Sequence, residues 1–146
     1  RMIRDMLFLA QADNAQLPLT RETLDLAALA RKVASLFEAT AEDRRMSVVV
    51  SGDATVDADR LMLERALGNL LSNALRHADT GSRIRIEVIR SESAVELGVA
   101  NQGRPIPPEV AARLFDRFYQ VDASRHRSHE GAGLGLAIAR SIAEKF

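Results

Sequence analysis

An α+β fold is predicted for this chain: a two-layer α/β sandwich in which a mixed, mostly antiparallel sheet carries its helices on one face. Three observations lead there. Apolar residues recur at helical spacing through residues 24–44 and 59–77. Residues 83–90 and 94–100 instead alternate apolar with polar, and Ser91-Glu92-Ser93 between them reads as a hairpin turn. The segments run helix, helix, strand pair, helix, hairpin, irregular loop, helix, an order that suits a sheet covered by helices on one side.

Taken in order, residues 1–12 read as a helix whose apolar face is Ile3, Met6, Leu7 and Ala10. Residues 15–23 hold Pro18 among polar neighbours and are expected to be a linker. Residues 24–44 follow as a helix with Leu26, Leu29, Ala30, Val33, Leu36 and Phe37 on its core side. Three consecutive valines in residues 47–51 predict a buried strand. A turn at Gly52-Asp53 leads to a brief second strand near Thr55 and Val56. Asp59 suits the N-cap of a helix reaching His77, with Leu63, Ala66, Leu67, Leu70, Leu71 and Ala74 facing the core. After the hairpin, Arg104-Pro105-Ile106-Pro107-Pro108 is rigid, and residues 109–114 can form a short helix with proline at its start. Residues 115–130 have no clean period, which marks a functional loop. Residues 133–145 close the chain as a helix. Both ends look cut, since helical pattern already runs at residue 1 and still runs at residue 146.

Composition narrows the function. The chain has 146 residues, 20 basic against 20 acidic, and no cysteine. Zero net charge gives no reason to expect bulk binding to nucleic acid or to an anionic membrane surface. The absence of cysteine excludes disulfide and thiolate chemistry. No apolar run approaches the ~20 residues that a membrane helix needs.

Four groups of residues carry chemistry. Asn69 and Asn73, one turn apart in Asn69-Leu70-Leu71-Ser72-Asn73, offer two neutral oxygen ligands on one helical face, and Arg76 extends the same row with a cation. Mg²⁺ prefers oxygen ligands and takes much of its charge balance from phosphate, so amides suffice on the protein side. Solvated polar positions are the alternative. Gly131-Ala132-Gly133-Leu134-Gly135-Leu136 opens the last helix, where bare N–H groups favour phosphate. It lacks the P-loop lysine, and no strand directly precedes it as in a dinucleotide fold; a hinge or a tight packing contact is the alternative. Asn101-Gln102-Gly103 ends a strand and could present a polar side chain to a base edge, or simply turn the chain. Leu114-Phe115-Asp116-Arg117-Phe118-Tyr119 gathers three of the six aromatics beside the irregular loop, where they are expected to pin it to the core. Arg125 and Arg127 follow, within reach of a polyphosphate or on a solvated face.

In this order the four blocks resemble the catalytic, ATP-binding domain of sensor histidine kinases, in the superfamily of DNA gyrase, Hsp90 and MutL, with its Bergerat-type fold. Residues 69–77 resemble the asparagine box, 101–106 the first glycine box, 115–118 the phenylalanine box and 131–136 the second glycine box. The wording of the blocks at 101–107 and 114–119 is most similar to the heavy-metal-responsive branch. The resemblance implies ATP and Mg²⁺ as cofactors and residues 24–146 as the catalytic domain, lacking its closing strands. Residues 1–14 would be the remnant of the dimerisation and phosphoacceptor hairpin. It implies Asn73 as the metal ligand, Asn69 beside phosphates and metal, Arg76 on phosphate oxygens, and His77 as a ring beside the nucleotide. Asn101 stands where an aspartate usually accepts from the adenine amino group, and Pro105 replaces a glycine. Gly103, Ile106, Phe115, Phe118, Arg125, Arg127, Gly131, Gly133, Leu134, Gly135 and Leu136 complete the implied nucleotide contacts. Residues 107–130 would form the lid. The implied partners are the dimerisation domain of the same kinase, homodimeric at full length, and a response regulator. The domain would be cytoplasmic, with its parent in a bacterial inner membrane. No phosphoacceptor histidine motif is present. A serine kinase of the anti-sigma type and a degenerate, non-catalytic binding module remain alternatives on the same fold.

Overall fold

The structure, a computed structural model, describes residues 2–13, 18–121 and 133–146. Helix α1 (Met2–Asp13) is followed by strand β1 (Arg21–Asp25), helices α2 (Leu26–Ser35) and α3 (Glu38–Asp43), and strands β2 (Ser47–Ser51) and β3 (Thr55–Asp59). The long helix α4 (Arg60–His77), strands β4 (Arg83–Arg90) and β5 (Val95–Ala100), the short α5 (Pro108–Ala111) and helix α6 (Gly135–Ala143) complete the described elements.

The sheet has the order β2-β4-β5, with β2 parallel to β4 and β4 antiparallel to β5. A separate antiparallel pair joins β1 to β3, in register Leu24 opposite Val56. The architecture is the α+β sandwich with a mixed, mostly antiparallel sheet. The expected strand pair at Gly52-Asp53 is corrected, because β2 and β3 do not pair with each other. Gly52 has φ +77° and sits so close to β4 that a Cβ would overlap the Val88 carbonyl oxygen. Only glycine can pass there, and it carries the chain past β4 instead of folding it back. Strands β2 and β4 then need a long crossover because they are parallel, and α4 supplies it.

The expected helix over residues 24–44 is corrected to a strand end and two helices. Leu24 belongs to β1 and is 1% exposed. Asp25 Oδ1 accepts from the Ala28 N–H at 2.9 Å and starts α2. Near the end of α2 the bonds shorten to Leu36 N–H to Val33 and Phe37 N–H to Ala34, a tightening that ends the α-helix. Residues 21–23, expected in the linker, are strand, since β3 offers them a partner that no local pattern reveals.

One core cluster joins Leu29, Ala30 and Val33 of α2 and Leu67, Leu71, Ala74 and Leu75 of α4 to Ile84 and Ile86 of β4. On the other side of α4, Phe8, Leu9 and Ala12 of α1 meet Leu134, Ile138 and Ile142, with Met62 and Ala66 packed against them. The expected inner face of α1 is therefore corrected: Ile3, Met6 and Leu7 are exposed. A helix with apolar residues on two faces has two candidate stripes, and the neighbour decides between them. Arg65 of α4 adds an ion pair to Asp5 at 2.8 Å and stacks over the Phe8 ring at 4.0 Å. Lys145 Nζ donates to the Ala12 carbonyl at 3.0 Å.

Candidate nucleotide-binding site

Helix α4 is the spine of the site, and its start is well anchored. Asp59, 6% exposed, takes the Met62 N–H on Oδ1 at 3.1 Å and the Thr20 N–H on Oδ2 at 2.8 Å. One carboxylate thus caps the helix and ties down the segment leading into β1. Asn69 and Asn73 lie one turn apart and half-buried, and Arg76 is exposed near the end of the same row. From Asn69 to His77 the helix rises about 12 Å.

The second glycine run meets this spine at Asn69. A Cβ on Gly135 would come within 3.4 Å of Asn69 Oδ1, so the first turn of α6 rests on that amide. The Asn69 amide nitrogen is buried and has no hydrogen-bond partner among the described residues. A buried donor left unspent is costly, and the oxygen of the same amide lies against the first turn of a helix with no side-chain cap. The first N–H groups of α6 have no acceptor within the helix. Leu134, just ahead of them, is 2% exposed in the α1 cluster, which holds the helix start in place. Leu136 is half-buried.

Gly133 has φ +70°, and a Cβ there would lie 2.9 Å from both the Phe118 carbonyl carbon and the Tyr119 oxygen. Its own carbonyl accepts from the Phe118 N–H at 3.1 Å. The phenylalanine block therefore reaches the glycine run through its backbone. The expectation that its rings pin the loop to the core is corrected, because Phe115 and Phe118 are 41% and 56% exposed. Phe118 has φ +61°, which turns the chain toward Gly133 and its ring outward. Tyr119 is held by Arg113, whose guanidinium lies 4.5 Å from the ring centroid.

The first glycine block meets the C-terminal end of the spine. Gly103 forms a bridge with Ala78, and the Asp79 N–H donates to the Gln102 carbonyl at 2.8 Å. A Cβ on Gly103 would come within 2.6 Å of the His77 carbonyl oxygen, so glycine alone permits this approach. Asn101 is exposed; its amide nitrogen donates to the Gln102 carbonyl at 3.4 Å, and that bond does not use its oxygen. Ile106 is exposed. Burial pushes the His77 imidazole below its ordinary pKa, and the charges of Arg76 and Arg44 push it further. Arg125, Arg127 and Gly131 lie outside the described residues.

Arg44 is a residue that sequence reasoning missed. It lies more than thirty positions before the carbonyls it reaches, in a charged run that reads as surface. Two surface grooves lie elsewhere among the described residues, one between β3 and the β4–β5 hairpin, the other along β2 and α2. Among the described residues no group of three or more His, Cys, Asp or Glu could hold a metal. A divalent cation here would rest on amide oxygens and on the phosphates of its ligand, a fit for Mg²⁺.

The model of the histidine kinase-, DNA gyrase B- and HSP90-like ATPase family matches residues 58–146, which include both glycine blocks and all of α4. The chain is 53% identical over 144 residues to the sensor protein IrlS of Burkholderia pseudomallei, covering 99% of this chain and 31% of IrlS. It is 52% identical over 143 residues to the sensor histidine kinase CusS of Escherichia coli K12, covering 97% of this chain and 30% of CusS. It thus spans about a third of the length of these curated relatives. The solved structure of full-length ShkA in complex with AMPPNP superposes with a TM-score of 0.84 at 28% identity, covering 97% of this chain and 30% of ShkA. IrlS and CusS are a sensor protein and a sensor histidine kinase, and the chain itself belongs to the histidine kinase-, DNA gyrase B- and HSP90-like ATPase family.

Proposed function

We propose that the face shared by α4 and α6 binds Mg-ATP and presents its γ-phosphate to a histidine outside this chain, on the dimerisation hairpin of a sensor kinase. The observation that carries this reading is the seat of Gly135 beside Asn69, whose oxygen lies against the uncapped first turn of α6 and whose buried amide nitrogen has no partner among the described residues. Amide oxygens and bare peptide N–H groups then serve one polyphosphate. Asn73 is the protein's metal ligand, Asn69 and Arg76 contact phosphate oxygens, and Gly133 shapes the turn into α6. When bound, the divalent cation neutralises charge on the phosphates. His77 flanks the nucleotide, and Asn101 accepts from the base edge with an uncharged oxygen.

The division of labour follows from what an amide can do. Asn69 orients and hydrogen-bonds, and it cannot take a proton from water. An attacking imidazole is already a nucleophile when neutral and needs no base from this chain. Phosphoryl transfer depends mainly on positioning and charge neutralisation, which these residues supply. The domain is therefore a kinase in trans and a slow ATPase.

The exposed Ile3, Met6 and Leu7 of α1 suit a helical neighbour, as the remnant of a dimerisation hairpin would require. The response regulator is the partner downstream, and a metal ion is the stimulus favoured by the resemblance to the heavy-metal branch. Calorimetric titration with ADP, with and without Mg²⁺, tests the reading. Micromolar binding that weakens in EDTA supports it. No binding at millimolar nucleotide to the folded chain favours the degenerate module, and rapid steady-state hydrolysis contradicts the kinase reading.

A further inference from the structure

The geometry points to Arg44 as a positioning residue for the nucleotide site, acting by holding the C-terminal end of α4 and the Gly103 turn in register. This inference rests on the proposed nucleotide function, yet its structural half can be tested without nucleotide.

A helix end leaves four carbonyls without intrahelical donors. In α4 the Ala74 carbonyl is taken by the Ala78 N–H at 2.8 Å. The next carbonyls go to one guanidinium. Arg44 Nη1 donates to the Leu75 carbonyl and, at 3.2 Å, to that of Arg76, while Nη2 donates to the Ala78 carbonyl at 3.0 Å. The His77 carbonyl instead faces Gly103. Arg44 is itself anchored, because its own carbonyl accepts from the Gly81 N–H at 3.1 Å. The turn between α3 and β2 is thereby bound on both sides of the junction between α4 and β4.

Two physical effects combine at this end. A cation at a helix C-terminus opposes the negative pole of the helix dipole. A planar fork with several N–H donors spans separate carbonyls, which an ammonium does not. What Arg44 holds is the turn that carries Arg76, His77 and the Ala78–Gly103 bridge. Without the fork, the Leu75, Arg76 and Ala78 carbonyls lose their donors and this last turn frays. Arg76 and Asn101 then no longer face the same ligand from fixed positions, and small misplacements at such a site cost up to about a hundredfold.

The test compares Arg44→Met and Arg44→Lys with the native chain. Amide hydrogen exchange and amide NMR shifts are read without nucleotide, and the Mg-ADP dissociation constant by calorimetry. The expected result is faster exchange and shifted resonances at Ala78, Asp79 and Gly103, with the β4–β5 hairpin unchanged. Nucleotide binding weakens by about ten- to a hundredfold in Arg44→Met. Arg44→Lys, which keeps charge and fold, fails to restore it. Native affinity in a folded Arg44→Met chain overturns the inference, as does full rescue by lysine. If Arg44→Met does not fold, the lysine variant alone decides. If the native chain binds no nucleotide, the exchange pattern still decides whether Arg44 holds the helix end, and the functional reading fails separately.

Discussion

Gly135 and Asn69 are neighbours in space: a methyl on the glycine would sit in van der Waals contact with the amide oxygen, at 3.4 Å. They are 66 positions apart, and their contact joins the asparagine helix to the glycine-opened helix. Two turns further along α4, Gly103 makes the corresponding approach to His77. The spine is thus met at its middle and at its C-terminal end by glycine segments from later in the chain.

Gly135→Ala and Gly133→Ala separate binding from folding. At Gly135 alanine fits a helical backbone and improves helix propensity by up to about 1 kcal/mol, while its methyl occupies space beside the Asn69 amide at van der Waals distance. Unchanged or slightly higher thermal stability with about tenfold weaker Mg-ADP binding is expected, a difference of about 1.4 kcal/mol. At Gly133 the positive φ and the 2.9 Å approach to backbone leave alanine no room. A loss of about 1–3 kcal/mol in stability is expected there, read by urea unfolding.

Asn73→Ala tests the metal ligand. The side chain lies half-buried outside the main core cluster, so the expected stability change is below about 1 kcal/mol. Nucleotide affinity in Mg²⁺ should fall to the level the native chain shows in EDTA. Unfolding of the variant would instead make Asn73 a structural residue.

His77 predicts a pH dependence whose sign follows from burial. Its pKa is lowered in the folded chain, so the unfolded chain binds the proton more readily at mildly acid pH. The His77 contribution to stability is fully present above the ordinary histidine pKa of about 6.5 and is lost as pH falls through the lowered folded value. His77→Gln should flatten that part of the stability profile between about pH 7 and 5. Phosphate placed nearby raises the imidazole pKa, so nucleotide binding near pH 6 should take up protons. Calorimetry in buffers of different ionisation enthalpy measures that uptake.

Asp59→Ala removes both the helix cap at Met62 and the tie to Thr20. A loss of about 2 kcal/mol is expected. Asp59→Asn should recover part of it, because an amide oxygen still accepts one of the two N–H groups. Thermal melts of the three proteins check the order.

The parts legible from the chain are those whose cause is local. Helix α4 was readable from its Asp59 cap and its 3.6-residue period, and the β4–β5 hairpin from strict alternation around Ser91-Glu92-Ser93. The glycine run ahead of α6 was visible, but that Gly133 is the one with positive φ was not, since a hinge or a packing contact suited the same residues. Strand β1 was not, since Arg21–Asp25 has no alternating pattern and exists through its pairing with β3. The inner face of α1 was misread because Phe8 and Leu9, not Ile3 and Leu7, find Ile138 and Ile142.

Residue order alone therefore supplied the features on which the proposed chemistry rests: asparagines one turn apart, glycines before a helix, and the succession of the four blocks. These are matters of period and side-chain type within a few positions. Folding in three dimensions settled the rest: β2 lies parallel to β4, Gly135 rests on Asn69, and Arg44 binds the end of α4. Each of those depends on partners more than thirty positions away, where packing and hydrogen-bond satisfaction choose among neighbours that local pattern leaves equivalent.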